Sequence, residues 1–290
     1  MLQTPVLQKN FYFLARRFVA GETIDSAIRV VRELNARGMS ATLDYLGEDV
    51  LERGAALRQR EVYLEMLDAI GAAGVDSNVS VKLSAMGLLL DESFALENLL
   101  AIVEHARVNP DPFVRIDMEG SAVLEATLRV FERAFAQQKN VGPVLQAYLK
   151  RTATDVEREI ELGARVRLCK GAYNESPAIA YKAMPEIRER YLELAKALLL
   201  RGKYPGIATH DHRLIAAVKA FVQERQIPNE CFEFQMLYGC RPQAQRKVVA
   251  DGYRLRVYVP FGTHWAGYFY RRVLERRENA LFALSSIFSR

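Results

Sequence analysis

Short β-branched and apolar runs alternate with longer stretches of helical spacing along most of the 290 residues. That alternation predicts a parallel sheet covered by helices. Eight runs read as strands: Ser40 to Leu46, Asn78 to Ser84, Phe113 to Met118, Pro143 to Leu149, Arg165 to Lys170, Gly206 to His210, Cys231 to Leu237 and Leu255 to Val259. Eight is the strand number of a closed (β/α)8 barrel. Between them, Leu57 to Ile70, Glu97 to Val108, Leu124 to Phe135, Ala178 to Leu200 and Leu214 to Val222 place apolar residues at helical spacing, and Pro177 suits the first turn of the longest. Upstream, Leu2 to Val19 and Ile24 to Leu34 also read as helices, the second closed by Gly38. The expected organisation is an α/β fold, a TIM-type (β/α)8 barrel forming one catalytic unit over residues 39–290, with an N-terminal helical arm over 1–38.

Polar residues punctuate the carboxyl ends of these otherwise apolar strands. Asp44 closes the first, Lys82 the second, Asp117 the third, Gln146 and Tyr148 the fourth, and Arg167 and Lys170 the fifth. His210 and Asp211 close the sixth, Gln235 the seventh and Tyr258 the eighth. In a (β/α)8 barrel those ends build the active site, so the set predicts a charged pocket at one mouth. Lys82 alternates with Ser80 and Ser84 and therefore shares their strand face. With Asp117 as its counter-charge it is either a carboxylate-binding cation or a Schiff-base nucleophile, and a lysine standing in solvent satisfies the local pattern equally well.

Arg271 and Arg272, with Glu275 one turn on, follow the last strand and the Gly262 turn. Paired guanidiniums suit a carboxylate ligand, although Arg276, Arg277 and Glu278 next to them also fit a solvated helix face. Arg167, Lys170 and Gly171 form a weak phosphate-site pattern that equally describes an ordinary turn. His210, Asp211 and His212 are consecutive and cannot all face one ion, so no metal site is expected. Neither G-x-G-x-x-G nor a Walker loop is present, which leaves any dinucleotide to the barrel's own loops.

Half of the residues are hydrophobic and 26% are charged, enough for a large buried core. The net charge of +5 and the pI near 9.1 arise without long basic tracts. They fit anionic ligands or an anionic membrane surface, and no aromatic-and-basic motif supports nucleic acid. Cys169, Cys231 and Cys240 show no metal or disulfide spacing, and neither a signal peptide nor a spanning segment is found. A cytoplasmic protein is expected. Two other readings stay open on these residues alone: a Schiff-base aldolase or lyase using Lys82 or Lys170, and a non-catalytic basic binding protein.

Seven segments taken together carry a resemblance. Val79-Ser-Val-Lys-Leu-Ser84, Ile116-Asp-Met-Glu-Gly-Ser121, Gln146-Ala-Tyr-Leu-Lys-Arg151 and Arg167-Leu-Cys-Lys-Gly-Ala-Tyr173 are the first four. Ala208-Thr-His-Asp211, Glu233-Phe-Gln-Met-Leu-Tyr-Gly239, and Tyr258-Val-Pro-Phe-Gly262 with Tyr270-Arg-Arg-Val-Leu-Glu-Arg-Arg-Glu-Asn279 complete the set. In this order the chain resembles the bacterial monofunctional proline dehydrogenases. The resemblance implies a (β/α)8 barrel that binds FAD, oxidises L-proline to 1-pyrroline-5-carboxylate as the first step of proline catabolism, and passes electrons to a quinone. That acceptor in turn implies peripheral contact with the inner face of the cytoplasmic membrane. By position, Lys82, Arg271 and Arg272 would hold the proline carboxylate, Glu275 would orient the arginine pair, and Tyr258 and Leu237 would pack on the ring. Asp117 and Arg167 would be the catalytic charged pair. Arg167, Met118, Gln146, Lys170, Gly171, Ala172, Thr209 and His210 would line the flavin. Asn174 is small and polar where the bifunctional relatives carry a bulky aromatic, which leaves FAD and FMN both open. Oligomeric state is not indicated.

Overall fold

The structure is a computed structural model and describes residues 15–270. Eight parallel strands close in sequence order into one barrel: β1 (Ser40–Tyr45), β2 (Ser77–Val81), β3 (Val114–Ile116), β4 (Val141–Gln146), β5 (Arg167–Cys169), β6 (Gly206–Ala208), β7 (Glu233–Leu237) and β8 (Leu255–Phe261). β1 pairs with both β2 and β8, which completes the ring. The helices are α1 (Ile24–Asn35), α2 (Arg53–Ala73), α3 (Glu92–His105), α4 (Ser121–Gln137), α5 (Thr152–Leu162), α6 (Met184–Arg201), α7 (His212–Glu224) and α8 (Pro242–Ala250). This is the predicted TIM-type fold.

Period-two alternation explains how apolar strands carry a polar site. On β8, Leu255, Val257 and Val259 are buried in the hydrophobic core, while Arg256 and Tyr258 occupy the other face. Tyr258 reaches Asp117 beyond β3, and Arg167 of β5 reaches Ser80 of β2. These pairs join strands that are not neighbours, so they cross the barrel interior. The apolar core lies mainly between strands and helices, and the barrel axis is polar.

Local chemistry sets the helix ends. Thr23 and Ser26 form a capping box on α1, Asp91 accepts from the Phe94 N–H at the start of α3, and Asp211 accepts from Arg213 at the start of α7. α1 lies against β1 and β8, where the ring closes, and Ala27, Ile28, Val31 and Leu34 join the barrel core. Within the 1–38 segment expected as an N-terminal arm, α1 is thus packed onto the barrel.

Two expectations are corrected, and two helices are added. α6 begins at Met184 with Pro185 in its first turn, not at Ala178 after Pro177. The intervening chain runs back to the end of β4, where the Lys150 N–H donates to the Ile179 carbonyl and the Tyr181 N–H to the Tyr148 carbonyl. The seventh strand starts at Glu233, because residues 229–231 form a 3₁₀ turn. α5 and α8 were not anticipated, since each is short and buries few apolar side chains.

A second apolar cluster joins Phe18, Val19 and Leu46 to Trp265, Tyr268 and Phe269. It anchors the segment after β8 at the carboxyl end of the barrel.

Candidate active site

Lys82 follows β2 directly and is 9% exposed. Its Nζ donates to both carboxylate oxygens of Asp44 on the neighbouring β1, at 2.9 and 3.0 Å. Asp117, the expected counter-charge, stands farther off at 4.0 Å. Burial alone would lower the lysine pKa, but Asp44 and then Asp117 outweigh it and hold Lys82 above the ordinary lysine range. Asp44 is fully buried, and desolvation pushes its carboxyl up against the opposing pull of Lys82. Such a lysine is a fixed cation, not the free amine that Schiff-base chemistry requires.

Asp117 is the hub beside it. Its Oδ1 accepts from Arg167 Nη1 at 2.7 Å and Ser80 Oγ at 2.9 Å, and its Oδ2 accepts from the Tyr258 hydroxyl at 2.6 Å. Arg167 continues the network through Gln235, and its guanidinium lies 5.3 Å from the Tyr258 ring centre. Two cations and two carboxylates balance here, the condition under which buried charges are tolerated. Burial first, and then the charges of Asp117 and Asp44, hold the Tyr258 phenol well above its usual value, so it stays a donor. Cys169 at the end of β5 is partly buried, and burial pushes its thiol up to about 12.

The residues expected to line a flavin lie at the carboxyl ends of β3 to β6. Gln146 Nε2 faces the Met118 and Glu119 carbonyls at 3.5 and 3.4 Å, while its Oε1 is buried with no partner among the described residues. Thr209 Oγ1 accepts from the Asp211 N–H, and His210 Nε2 accepts from the Leu237 N–H at 2.9 Å, which leaves the proton of a neutral ring on Nδ1. Lys170 lies 3.5 Å from Asp211, whose carboxylate also accepts from Arg188 at 2.6 Å. Burial would raise Asp211, but Arg188 and Lys170 hold it below the ordinary range. Gly171 has φ +114°, and a Cβ there would come within 2.2 Å of the Tyr148 ring. Both the positive φ and the close approach of Tyr148 call for glycine there; Ala172 next to it is exposed. Arg271, Arg272 and Glu275 lie outside the described residues.

Sequence reasoning placed Asp44 at a strand end without assigning it to the site. Its period-two relation to Thr42, another buried polar residue of β1, was the available signal. It also missed Glu119, which accepts from the Ser84 N–H and hydroxyl, and Glu175, which accepts from the Ser121 N–H and hydroxyl at the start of α4. Beside Lys82 lies a cavity of about 200 Å³ lined by Leu46, Glu48, Gln59, His264 and Tyr268. Among the described residues no group of His, Cys, Asp or Glu is arranged to hold a metal, and no helix is long and apolar enough to cross a membrane.

Comparison with known proteins matches this geometry to a family. The family described as proline dehydrogenase matches residues 27–284. Proline dehydrogenase 1 of Bacillus subtilis (strain 168) is 44% identical over 273 residues, 94% of this chain and 90% of that protein. The proline dehydrogenase of Deinococcus radiodurans is 37% identical over 285 residues, 97% of this chain and 92% of that protein. Among solved structures, proline utilization A (PutA) from Bdellovibrio bacteriovorus inactivated by N-propargylglycine superimposes with a TM-score of 0.85 at 28% identity, over 93% of this chain. The chain spans about a third of that PutA polypeptide. The chain belongs to the proline dehydrogenase family, oxidoreductases acting on a CH–NH donor in the first step of proline catabolism.

Proposed function

We propose that this protein oxidises L-proline to 1-pyrroline-5-carboxylate with FAD as its cofactor, and that a quinone reoxidises the flavin at a membrane surface the protein contacts peripherally. The observation that carries the reading is Lys82, a buried cation fixed by Asp44 beside a cavity at the carboxyl mouth of the barrel. Its charge matches the proline carboxylate, and Arg271 and Arg272 would complete the clamp with Glu275 orienting them. Tyr258 and Leu237 would close on the pyrrolidine ring. A cationic wall also favours the neutral amine of proline over the ammonium, and only the neutral amine has a lone pair to support loss of hydride from the adjacent carbon.

The donor set fits a flavin. The unpartnered Gln146 Oε1 is an acceptor for an imide-type N–H, and Met118, Thr209, His210 and the Lys170 to Ala172 turn surround the same strand ends. Bound FAD would supply the two-electron acceptor for the C–N oxidation. Asp117 and Arg167 would fix the position and charge of the reacting centre, Arg167 presenting a cation where negative charge develops.

Steady-state oxidation of L-proline with a quinone acceptor, with the pyrroline product trapped by an aromatic aldehyde, tests the reading on the wild type and on Lys82→Met. The wild type is expected to form product, and the variant to raise KM for proline about a hundredfold while keeping its flavin. Equal KM values in the two proteins would remove Lys82 from the clamp.

A further inference from the structure

At the opposite end of the barrel, the amino ends of the strands surround a cavity of about 550 Å³ whose lining includes Arg165, Lys203, Tyr204, Arg254, Asp76 and Asp111. None of these belongs to the cluster around Lys82. We propose that this second mouth binds a small multivalent oxyanion, a polycarboxylate or phosphate, held by Arg165, Lys203 and Arg254.

The most buried local acids, Asp111 and Glu233, are paired with Arg256. Asp111 accepts from Asn78 Nδ2 and from Arg256 Nη2, both at 2.9 Å, and Glu233 accepts from Arg256 Nε at 2.8 Å. Asp76 accepts from Ser40 Oγ at 2.6 Å. Arg165, Lys203 and Arg254 form no ion pair among the described residues, and with Arg256 they set four cations against the two carboxylates, Asp76 and Asp111, that line the same cavity, an excess of positive charge. Arginine forks match carboxylate and phosphate geometry, and three cations favour a ligand with more than one negative charge.

The cations are also held in place. The Arg165 guanidinium lies 4.2 Å from the Phe113 ring centre and 4.6 Å from that of Tyr204, a stack that fixes its plane. Its Nε donor is shut away from water and has no acceptor among the described residues. Tyr204 adopts φ +44°, in the left-handed region that a side chain disfavours. Its hydroxyl donates to Glu233 Oε2 at 3.2 Å and accepts from Arg254 Nη1 at 3.3 Å. A strained residue pinned between two arginines at a cavity wall has the character of a preorganised ligand clamp.

The interior behind the cavity adds to the imbalance. Arg115 is 3% exposed and donates through Nη1 to the Pro143 carbonyl at 3.0 Å and to the Arg165 carbonyl, with no carboxylate partner among the described residues. Burial first, and then the charges of Arg167 and Arg165, press against its protonated form. An anion at the mouth would offset that positive charge.

The test is thermal unfolding of the full-length protein at constant ionic strength. Inorganic phosphate or citrate is titrated against chloride, for the wild type and for Lys203→Gln and Arg165→Gln/Arg254→Gln. The wild type is expected to show a saturable rise in Tm with one or both oxyanions and none with chloride. Response to phosphate alone or citrate alone assigns the anion class. The midpoint should shift at least fivefold in Lys203→Gln, and the response should vanish in the double variant, while KM for proline in Lys203→Gln stays at the wild-type value. Unchanged midpoints in both variants, an equal effect of chloride, or a changed proline KM in Lys203→Gln would overturn the proposal. Should the double variant fail to fold, Lys203→Gln decides, because its side chain is exposed.

Discussion

Lys82 keeps its proton because the Asp44 carboxylate lies 2.9 and 3.0 Å away in a setting almost without water, with Asp117 a second negative charge behind it. Removing one member of a buried pair costs far more than the pair contributes, because the other charge is left stranded. Asp44→Asn is therefore expected to lower unfolding stability by about 3 to 5 kcal/mol in urea denaturation. It should also raise KM for proline at least tenfold with flavin absorbance unchanged, since the lysine loses the contact that aims it. A variant with wild-type stability and KM would show that Asp44 does not position Lys82. Lys82 itself was legible, because a lysine alternating with serines in an apolar strand demands a partner. The identity of that partner was not: Asp44 and Asp117 both close neighbouring strands, and only the three-dimensional register separates a 2.9 Å contact from a 4.0 Å one.

Among the elements, α5 carries a carboxyl that constrains the pH range of the fold. Glu159 is 1% exposed and its Oε2 has no partner among the described residues. Burial, reinforced by Glu132 and Asp155 and opposed by Arg158, pushes it up to about 8. The folded value lies above the unfolded one, so the native state binds the proton more tightly. The associated stability is complete below pH about 4.5 and is lost as pH rises through 8. Glu159→Gln should therefore differ little from the wild type at pH 5 and be more stable at pH 9 by on the order of 3 kcal/mol in chemical denaturation. Identical pH profiles would contradict the assignment. α5 was itself missed from the sequence: its buried face includes Thr152, Asp155 and Glu159, so apolar periodicity is weak. The start of α6 was misplaced for a different reason. Pro177 and Pro185 both offer a first turn, and only the return of residues 178–181 to the end of β4 selects the second.

At the scale of the whole molecule, the eight strands were legible because each is an apolar run, and the carboxyl mouth because each run carries polar residues in it or directly after it, although Arg167 opens β5 and Tyr258 lies in the middle of β8. The amino mouth was not legible. Tyr204 and Arg254 lie just before two different strands and look like loop residues, Arg165 reads as the opening of the fifth strand, and nothing in the sequence joins the three until the barrel closes. The closed ring gives the protein a polar axis with two unequal ends, a charge-balanced cluster at the carboxyl mouth, the end at which (β/α)8 enzymes carry their chemistry, and a cation-rich mouth opposite. The central claim concerns the first end: a flavin bound there takes electrons from proline. The most direct test is the visible absorption spectrum of the purified protein before and after anaerobic addition of L-proline. The account predicts flavin bands that bleach on addition; bands that persist, or a colourless protein that takes up no added FAD, would contradict it.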